Sequence, residues 1–156
     1  MCISVHCYVF RQISTLEKPC SGTAYYCFKS TIRPNWDDVN NVNGGRWAID
    51  VSRQEVPVLL DFYWLSLLLA LLLDRFGELD DCICGAVVRY KRKRCKVSLW
   101  TREIEGETLS LIGEVMKREL LLTDDRKLYY EKHENARFRS DSHIKPLLQI
   151  PSVSTV

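Results

Sequence analysis

Two segments of the chain carry apolar residues in the patterns of helices. Residues 56–73 read VPVLLDFYWLSLLLALLL and are apolar almost throughout, which is typical of a helix buried on most sides. Residues 107–122 repeat apolar positions every three or four residues, at Leu109, Ile112, Val115, Met116 and Leu120. We predict a helix that is capped by Ser52 and runs to about Arg75, and a second helix over residues 107–122.

The remaining apolar segments are short and have the composition of strands. Residues 32–45, with Pro34 and Gly44-Gly45, instead form a polar loop rich in Asn and Asp, and such loops often carry binding residues. A short amphipathic helix is predicted over residues 8–15. We predict strands over residues 24–30, 46–51, 85–91, 96–101 and 127–132. This mixture favours an α+β fold with the helices on one face of an antiparallel sheet.

Length and charge limit the kind of protein this is. With 156 residues, the chain suits a single domain with one core. The formal net charge is only +2, so any binding of phosphate must come from local clusters of cations. The seven cysteines are an odd number, which favours free, mostly buried thiols over disulfides and indicates a reducing, cytoplasmic or nuclear compartment.

The Leu-rich segment raises the question of a membrane. A spanning helix needs about 20 mainly apolar residues, whereas Asp61 and Asp74 bracket only a short apolar stretch. A carboxylate such as Asp61 is costly inside a bilayer. We therefore predict a helix buried in protein and no membrane insertion.

Trp36 is unusual among the four tryptophans because it lies in the polar loop, beside Asp37 and Asp38. An indole next to a carboxylate can stack on a nucleic-acid base while the carboxylate accepts N–H groups from the base edge. The alternative is that Trp36 only packs the loop on the sheet. Trp47 and Trp64 fall in strand and helix patterns and are predicted to be core residues.

Five cations lie within six residues, at Lys91, Arg92, Lys93, Arg94 and Lys96. They would repel one another unless an anion were near, so they are candidates for phosphate binding; a solvated turn is the alternative. No glycine pattern matches a phosphate-binding loop, and nothing indicates a metal or a cofactor. The three histidines are scattered and are predicted to lie at the surface. Catalysis therefore has little support.

Several short motifs, in this order and spacing, carry a resemblance to a known family. They are PNWDD, GGRW at residues 44–47, DFYWLSLLLALL, CGAVV at residues 84–88, KVSLWT and IGEVMKREL. Together they resemble the translation initiation factor 4E family. The register runs without gaps over residues 22–100 and more loosely to the C-terminal tail. We expect one 4E-like domain over residues 1–156, with residues 1–8 atypical and residues 134–156 a loosely matched, flexible tail.

The resemblance implies a curved antiparallel sheet with three helices on its convex face. It also implies a non-enzymatic protein that binds the 7-methylguanosine or trimethylguanosine cap of mRNA without a cofactor. A methylated guanine is cationic, so stacking on indole gains a cation–π attraction. The residues implied for the guanine are Trp36, Asp37 and Trp100. Those implied for the cap phosphates are Arg46, Lys91, Lys96 and Arg139, and Ser142 falls near a phosphorylation site of the family.

The resemblance also implies protein partners on the convex back. Leu65 and Leu69 match apolar residues that receive a helix of initiation factor 4G and of 4E-binding repressor proteins. Two family tryptophans have no counterpart in this sequence. The first stacks on the cap and, like the first strands of the family fold, belongs before the matched region. The second anchors the partner helix and would fall at about Cys7. A defective 4E-like paralogue or fragment that acts through protein contacts, without tight cap binding, is therefore the alternative function.

Overall fold

The computed structural model describes residues 21–56, 58–134 and 148–150. Within these ranges the strands are β1 (Ala24–Phe28), β2 (Gly45–Ser52), β3 (Ile83–Arg89), β4 (Arg94–Thr101), β5 (Leu128–Lys132) and β6 (Leu148–Ile150). The helices are α1 (Val58–Leu72) and α2 (Gly106–Glu119), and a 3-10 helix covers Gly77–Cys82. The helix predicted over residues 8–15 and the atypical residues 1–8 lie outside the described parts of the chain.

The six strands form one antiparallel sheet in the order β1-β3-β4-β2-β5-β6. The prediction of an α+β fold with a curved antiparallel sheet and about three helices is confirmed. Strands β3 and β4 form a hairpin, and the five neighbouring cations of the sequence lie in its turn and in the first residues of β4. Strand β6, in the C-terminal segment, pairs with β5 and was not predicted.

One face of the sheet packs against α1 and α2, and we call it the covered face. Its core includes Trp47, Ile49, Val97 and Leu99 from the strands and Leu60, Leu67, Ile112 and Met116 from the helices. Trp47 Nε1 donates a hydrogen bond to the Leu109 carbonyl at 3.0 Å and so ties α2 to β2. Gly113 allows this approach, because a Cβ there would lie 2.6 Å from the Trp47 ring. Trp47 and Trp64 are both buried, as predicted.

The start of α1 differs from the prediction. Ser52 ends β2 and does not cap α1, which begins at Val58. The Ser52 hydroxyl donates to Glu55 Oε2 at 2.7 Å and its backbone N–H donates to the same atom at 3.0 Å. Ser52 therefore stabilises the turn before the helix. Helix α1 ends at Leu72, ahead of Asp74, whose φ of +52° cannot continue a right-handed helix.

Helix α1 spans 15 residues, or about 22 Å at the usual rise per residue, against a bilayer core of roughly 30 Å. None of the helices in the described ranges combines the length and the apolar character required to cross a bilayer.

The cysteines that the structure describes are free thiols, as predicted. Cys84 and Cys95 are buried, and Cys27 and Cys82 are partly buried. Burial raises the pKa of the Cys84 thiol to about 11, which leaves it protonated at neutral pH. The other three cysteines of the sequence lie outside the described residues.

Candidate functional site

The face of the sheet opposite the helices, which we call the open face, is organised in rows of cross-strand partners. The first row contains Phe28, Gly85, Trp100, Arg46 and Glu131, taken in sheet order from β1 to β5. The second contains Tyr26, Val87, Ser98, Ala48 and Tyr129, and the third Arg89, Lys96 and Asp50. Because side chains alternate along a strand, each row presents its members on the same face. Aromatic rings and charges therefore lie side by side.

Four rings form what we call the aromatic cluster: Phe28, Trp36, Trp100 and His133. The ring centroids of Trp36 and Trp100 are 4.4 Å apart, with 31° between the planes. His133 lies 4.2 Å from Trp100 and 4.7 Å from Trp36. Phe28 meets Trp100 edge to face at 5.4 Å. The guanidinium carbon of Arg46 lies 5.5 Å from the Trp36 ring centroid, so the cluster adjoins a cation.

The loop between β1 and β2 holds Trp36 over the sheet through its own hydrogen bonds. Asp38 Oδ2 accepts the backbone N–H of Arg33 at 3.0 Å, and such bonds, that of Arg33 first, lower the Asp38 pKa. Asn41 is buried, and its Nδ2 donates to the carbonyls of Arg33 and Asn35 at 2.9 and 2.8 Å. The loop is therefore an ordered scaffold for the indole.

Beside the aromatic cluster lies a set of four charged residues, the ion-pair chain: Arg46, Glu131, Lys96 and Asp50. Arg46 Nε donates to Glu131 Oε1 at 2.7 Å, and Arg46 Nη2 contacts the same oxygen. Lys96 Nζ lies 3.6 Å from Glu131 Oε1 and 3.7 Å from Asp50 Oδ1. The Tyr129 hydroxyl donates to Asp50 Oδ2 at 3.1 Å. Two cations and two anions thus alternate across the open face.

Three residues of the ion-pair chain are largely shielded from solvent, whereas the Asp50 side chain is 32% exposed. The exposed fractions of the Glu131, Arg46 and Lys96 side chains are 2%, 12% and 13%. Burial lowers the pKa of Lys96, whereas the nearby carboxylate of Asp50 acts in the opposite direction. Burial also raises the pKa of Tyr129, whose ring centroid lies 5.0 Å from Lys96 Nζ. Charges in such a place are strongly coupled, because the protein screens them less than water does.

His133 is buried, and the prediction that the histidines lie at the surface is wrong for this one. Its backbone N–H donates to the Gly44 carbonyl at 2.9 Å, which extends the β2–β5 ladder and keeps the imidazole on the open face. Burial lowers its pKa to about 3, and the positive charge of Arg46 acts in the same direction. The ring is therefore neutral at pH 7. His6 and His143 lie outside the described residues.

Four of the residues predicted for ligand binding lie together on the open face: Trp36, Trp100, Arg46 and Lys96. Asp37 follows Trp36 directly in the chain and is exposed. Lys91 lies in the exposed β3–β4 turn, near enough to contribute to the lowered pKa of Lys96. Arg139 and Ser142 lie outside the described residues.

Leu65 and Leu69 lie far from this site, on α1 at the other side of the sheet. Their exposed fractions are 38% and 50%, and they share a side of the helix with Phe62 and Leu72 at spacings of three or four residues. The predicted partner surface is therefore apolar and accessible. The two sets of predicted residues are separated by the sheet and the core.

The contact between Trp36 and Trp100 limits how a planar ligand can bind. Their centroid separation of 4.4 Å corresponds to two rings in direct contact, and a third ring between them would require about 7 Å. A ligand stacked on Trp36 must use the face of the indole turned away from Trp100 or displace Trp36 from it.

The sequence analysis missed four members of the site, namely the acidic residues Glu131 and Asp50 and the rings of Phe28 and His133. The pattern did contain the necessary information, because Glu131 and Asp50 alternate with apolar residues in predicted strands and so belong to the face away from the core. What the sequence did not reveal was the pairing of β2 with β5, which places Glu131 opposite Arg46.

In the described ranges, no group of three or more His, Cys, Asp or Glu residues is arranged to hold a metal ion.

A family model described as eukaryotic initiation factor 4E matches residues 3–146 of the chain. Eukaryotic translation initiation factor 4E-3 of Caenorhabditis elegans is 45% identical over 135 residues, which is 84% of this chain and 54% of the relative. Eukaryotic translation initiation factor 4E of Homo sapiens is 38% identical over 125 residues, 80% of this chain and 58% of the relative. The chain thus spans little more than half the length of these curated relatives.

Solved structures agree with this relationship. The complex of Ascaris suum initiation factor 4E-3 with the m2,2,7G cap matches with a TM-score of 0.79 and 38% identity, covering 92% of this chain and 79% of that one. The complex of the C. elegans factor 4E-3 with the 4E-binding protein Mextli and a cap analog matches with a TM-score of 0.77 and 39% identity, covering 90% and 79%. The protein belongs to the eukaryotic initiation factor 4E family.

Proposed function

We propose that this chain binds the 7-methylguanosine cap of mRNA and takes part in translation initiation as a cap-binding subunit. The cap bears either a monomethylated or a trimethylated guanosine, since similar structures contain m7G or m2,2,7G caps. The protein acts by binding rather than by catalysis, requires no cofactor, and works in the cytoplasm. Initiation factor 4G and 4E-binding repressors are its protein partners.

The observation that carries this proposal is the position of Trp36. A half-buried indole is held by an ordered loop, next to the exposed carboxylate of Asp37 and the cation of Arg46. A methylated guanine can stack on the indole, and its cationic ring strengthens the stack. Asp37 then accepts N–H groups from the base edge. This chemistry favours methylated over unmethylated guanine.

Support for the partner surface comes from the exposed apolar side chains of α1. Leu65 and Leu69 present a stripe on which an amphipathic helix can place its own apolar face. The similar C. elegans and schistosome structures contain 4E-binding proteins. We propose that initiation factor 4G and the repressors bind here, so that cap and partner occupy opposite sides of the sheet.

A fluorescence titration tests the cap proposal. 7-Methylguanosine triphosphate should quench tryptophan emission at concentrations at least about tenfold lower than guanosine triphosphate does, because stacking of a cationic base is stronger. Asp37→Asn should reduce this preference. The matched control is Glu114→Gln, which makes the same change at an exposed carboxylate on α2 and should have no effect.

Equal quenching by both nucleotides would remove the cap-specific proposal. The chain would then be expected to act through protein contacts alone, and a pull-down with a 4E-binding helical peptide in the absence of nucleotide would test that alternative.

A further inference from the structure

Two of the cations predicted to bind the cap phosphates are already paired with carboxylates of the same chain. Arg46 and Lys96 both contact Glu131 Oε1, and Lys96 also faces Asp50. The formal charges of these four residues sum to zero. A phosphate group that enters the site therefore meets two anions as well as two cations.

The pairing is built into the sheet rather than formed by flexible surface side chains. Glu131 is the direct cross-strand partner of Arg46 in the β2–β5 ladder, and Asp50 is that of Lys96 in the β2–β4 ladder. The Glu131 side chain is only 2% exposed. If Glu131 moved away from Arg46, its buried carboxylate would need other partners, because burying an unpaired charge is costly. Glu131 is therefore expected to stay in place when a ligand binds.

Asp50 is more exposed than Glu131, at 32% of its side chain, and two contacts hold it. Its Oδ2 accepts the hydrogen bond from the Tyr129 hydroxyl at 3.1 Å, while its Oδ1 faces Lys96 at 3.7 Å. Tyr129 is the cross-strand partner of Ala48, two residues before Asp50 on the same face. A phosphate approaching Lys96 thus lies beside a second fixed carboxylate.

We propose that Glu131, assisted by Asp50, is a specificity-determining residue that neutralises Arg46 and Lys96, two of the cations predicted to bind phosphate. As a result, this chain recognises its nucleotide mainly through the methylated base and gains less from the phosphates. This inference rests on the proposed function, because it concerns the same cap site. It assigns Glu131 a role that neither the sequence motifs nor the position of Trp36 reveals.

The experiment compares 7-methylguanosine with 7-methylguanosine triphosphate by tryptophan quenching. For the wild-type chain, the triphosphate should bind no more than about tenfold more tightly than the nucleoside, because Arg46 and Lys96 already have anionic partners. Glu131→Gln keeps the size of the side chain and an oxygen acceptor for Arg46 while it removes the charge. It should increase the preference for triphosphate over nucleoside by about tenfold.

Asp50→Asn should change the preference in the same direction by a smaller factor, because Asp50 contacts one of these cations, Lys96, whereas Glu131 contacts both. Glu114→Gln on α2 is the matched control and should change neither affinity. A preference that is unchanged or reduced in Glu131→Gln would overturn the proposal, since a reduction would mean that Glu131 orients Arg46 toward phosphate. The cap-binding proposal would survive that result, provided that the wild-type chain still binds the nucleoside.

A second measurement on the wild-type chain does not depend on how the variant folds. Salt screens the attraction between a triphosphate and unpaired cations. With Arg46 and Lys96 neutralised, raising the salt concentration from about 0.05 M to about 0.5 M should weaken triphosphate binding by no more than about tenfold. A larger loss would contradict neutralisation, whereas failure of the nucleoside itself to bind would instead contradict the proposed function.

Discussion

The two faces of the sheet bury their tryptophans in different ways. On the covered face, Trp47 is fully buried and its indole N–H donates to the Leu109 carbonyl. On the open face, Trp100 is 2% exposed and its Nε1 has no hydrogen-bond partner among the described residues. Both ring nitrogens of the adjacent His133 are also without a partner there.

This difference separates a face built for packing from one suited to a ligand. Buried polar atoms in folded proteins nearly always have a partner, so several unpartnered atoms in one cluster need an explanation. On the covered face, Trp64 Nε1 is likewise unpartnered, but it is a single atom within an apolar helix. In the aromatic cluster, three such atoms adjoin the ion-pair chain. The comparison predicts that mutations on the covered face alter stability and those on the open face alter binding.

The largest effect should follow from Trp47→Ala. The substitution removes a fully buried indole and its hydrogen bond to α2, and we expect it to lower the free energy of unfolding by about 3–5 kcal/mol. Urea denaturation followed by circular dichroism measures this change. A loss below about 1 kcal/mol would show that the covered face does not depend on this packing.

Trp36→Leu removes the corresponding ring from the open face. Because one base–aromatic stack is worth about 1–3 kcal/mol, affinity for 7-methylguanosine triphosphate should fall roughly tenfold to a hundredfold. Calorimetric titration measures the loss without relying on indole fluorescence. Trp36→Phe, which retains a stacking ring, serves as the control and should recover part of the affinity. If both variants bind as the wild type does, Trp36 does not hold the base.

Most of the covered face could be predicted from the sequence. Alternation identified β2 and β4, and the helical repeat located α2, because burial of one side imposes a period on the residues. The start of α1 was placed wrongly, since Ser52 offers a capping side chain that Glu55 uses in a turn instead. The pattern also gave no indication of the 3-10 helix or β6, which are short and form through tertiary contacts.

The open face was less accessible to prediction. Trp36 and Trp100 came from the family motifs, and the composition of the loop supported only Trp36. The role of Glu131 depends on which strand lies next to β5, and a charged residue in a half-exposed strand is ordinarily solvated. His133 lies just beyond β5, where the alternation of apolar and polar residues no longer predicts which face a side chain occupies. Its backbone N–H nevertheless still donates to the Gly44 carbonyl. Pairing between strands distant in sequence was the missing information.

The partner surface provides a test at the outer side of α1. Leu69→Asp places a charge in the exposed apolar stripe, and affinity for a synthetic 4E-binding helical peptide should decrease by about 1–2 kcal/mol, or roughly tenfold. Surface plasmon resonance measures the change. Leu111→Asp on α2 is a matched control, because Leu111 is 40% exposed and lies outside the stripe. Equal losses in both variants would indicate a non-specific effect of charge.

The smallest expected effect concerns His133 and relates the open face to pH. Its pKa is about 6.5 in the unfolded chain and about 3 in the folded protein, chiefly because of burial. Between these values the unfolded chain binds more protons, so the contribution of His133 to stability is complete above pH 6.5 and decreases as the pH falls toward 3. At pH 6 the loss should be about 1 kcal/mol.

Thermal unfolding of wild type and His133→Phe at pH 8 and pH 6 measures this loss. The wild type should lose more stability than the variant, since phenylalanine cannot be protonated. Parallel losses would mean that the imidazole already has water or a partner around it, and the contrast between the two faces would then rest on Trp100 alone.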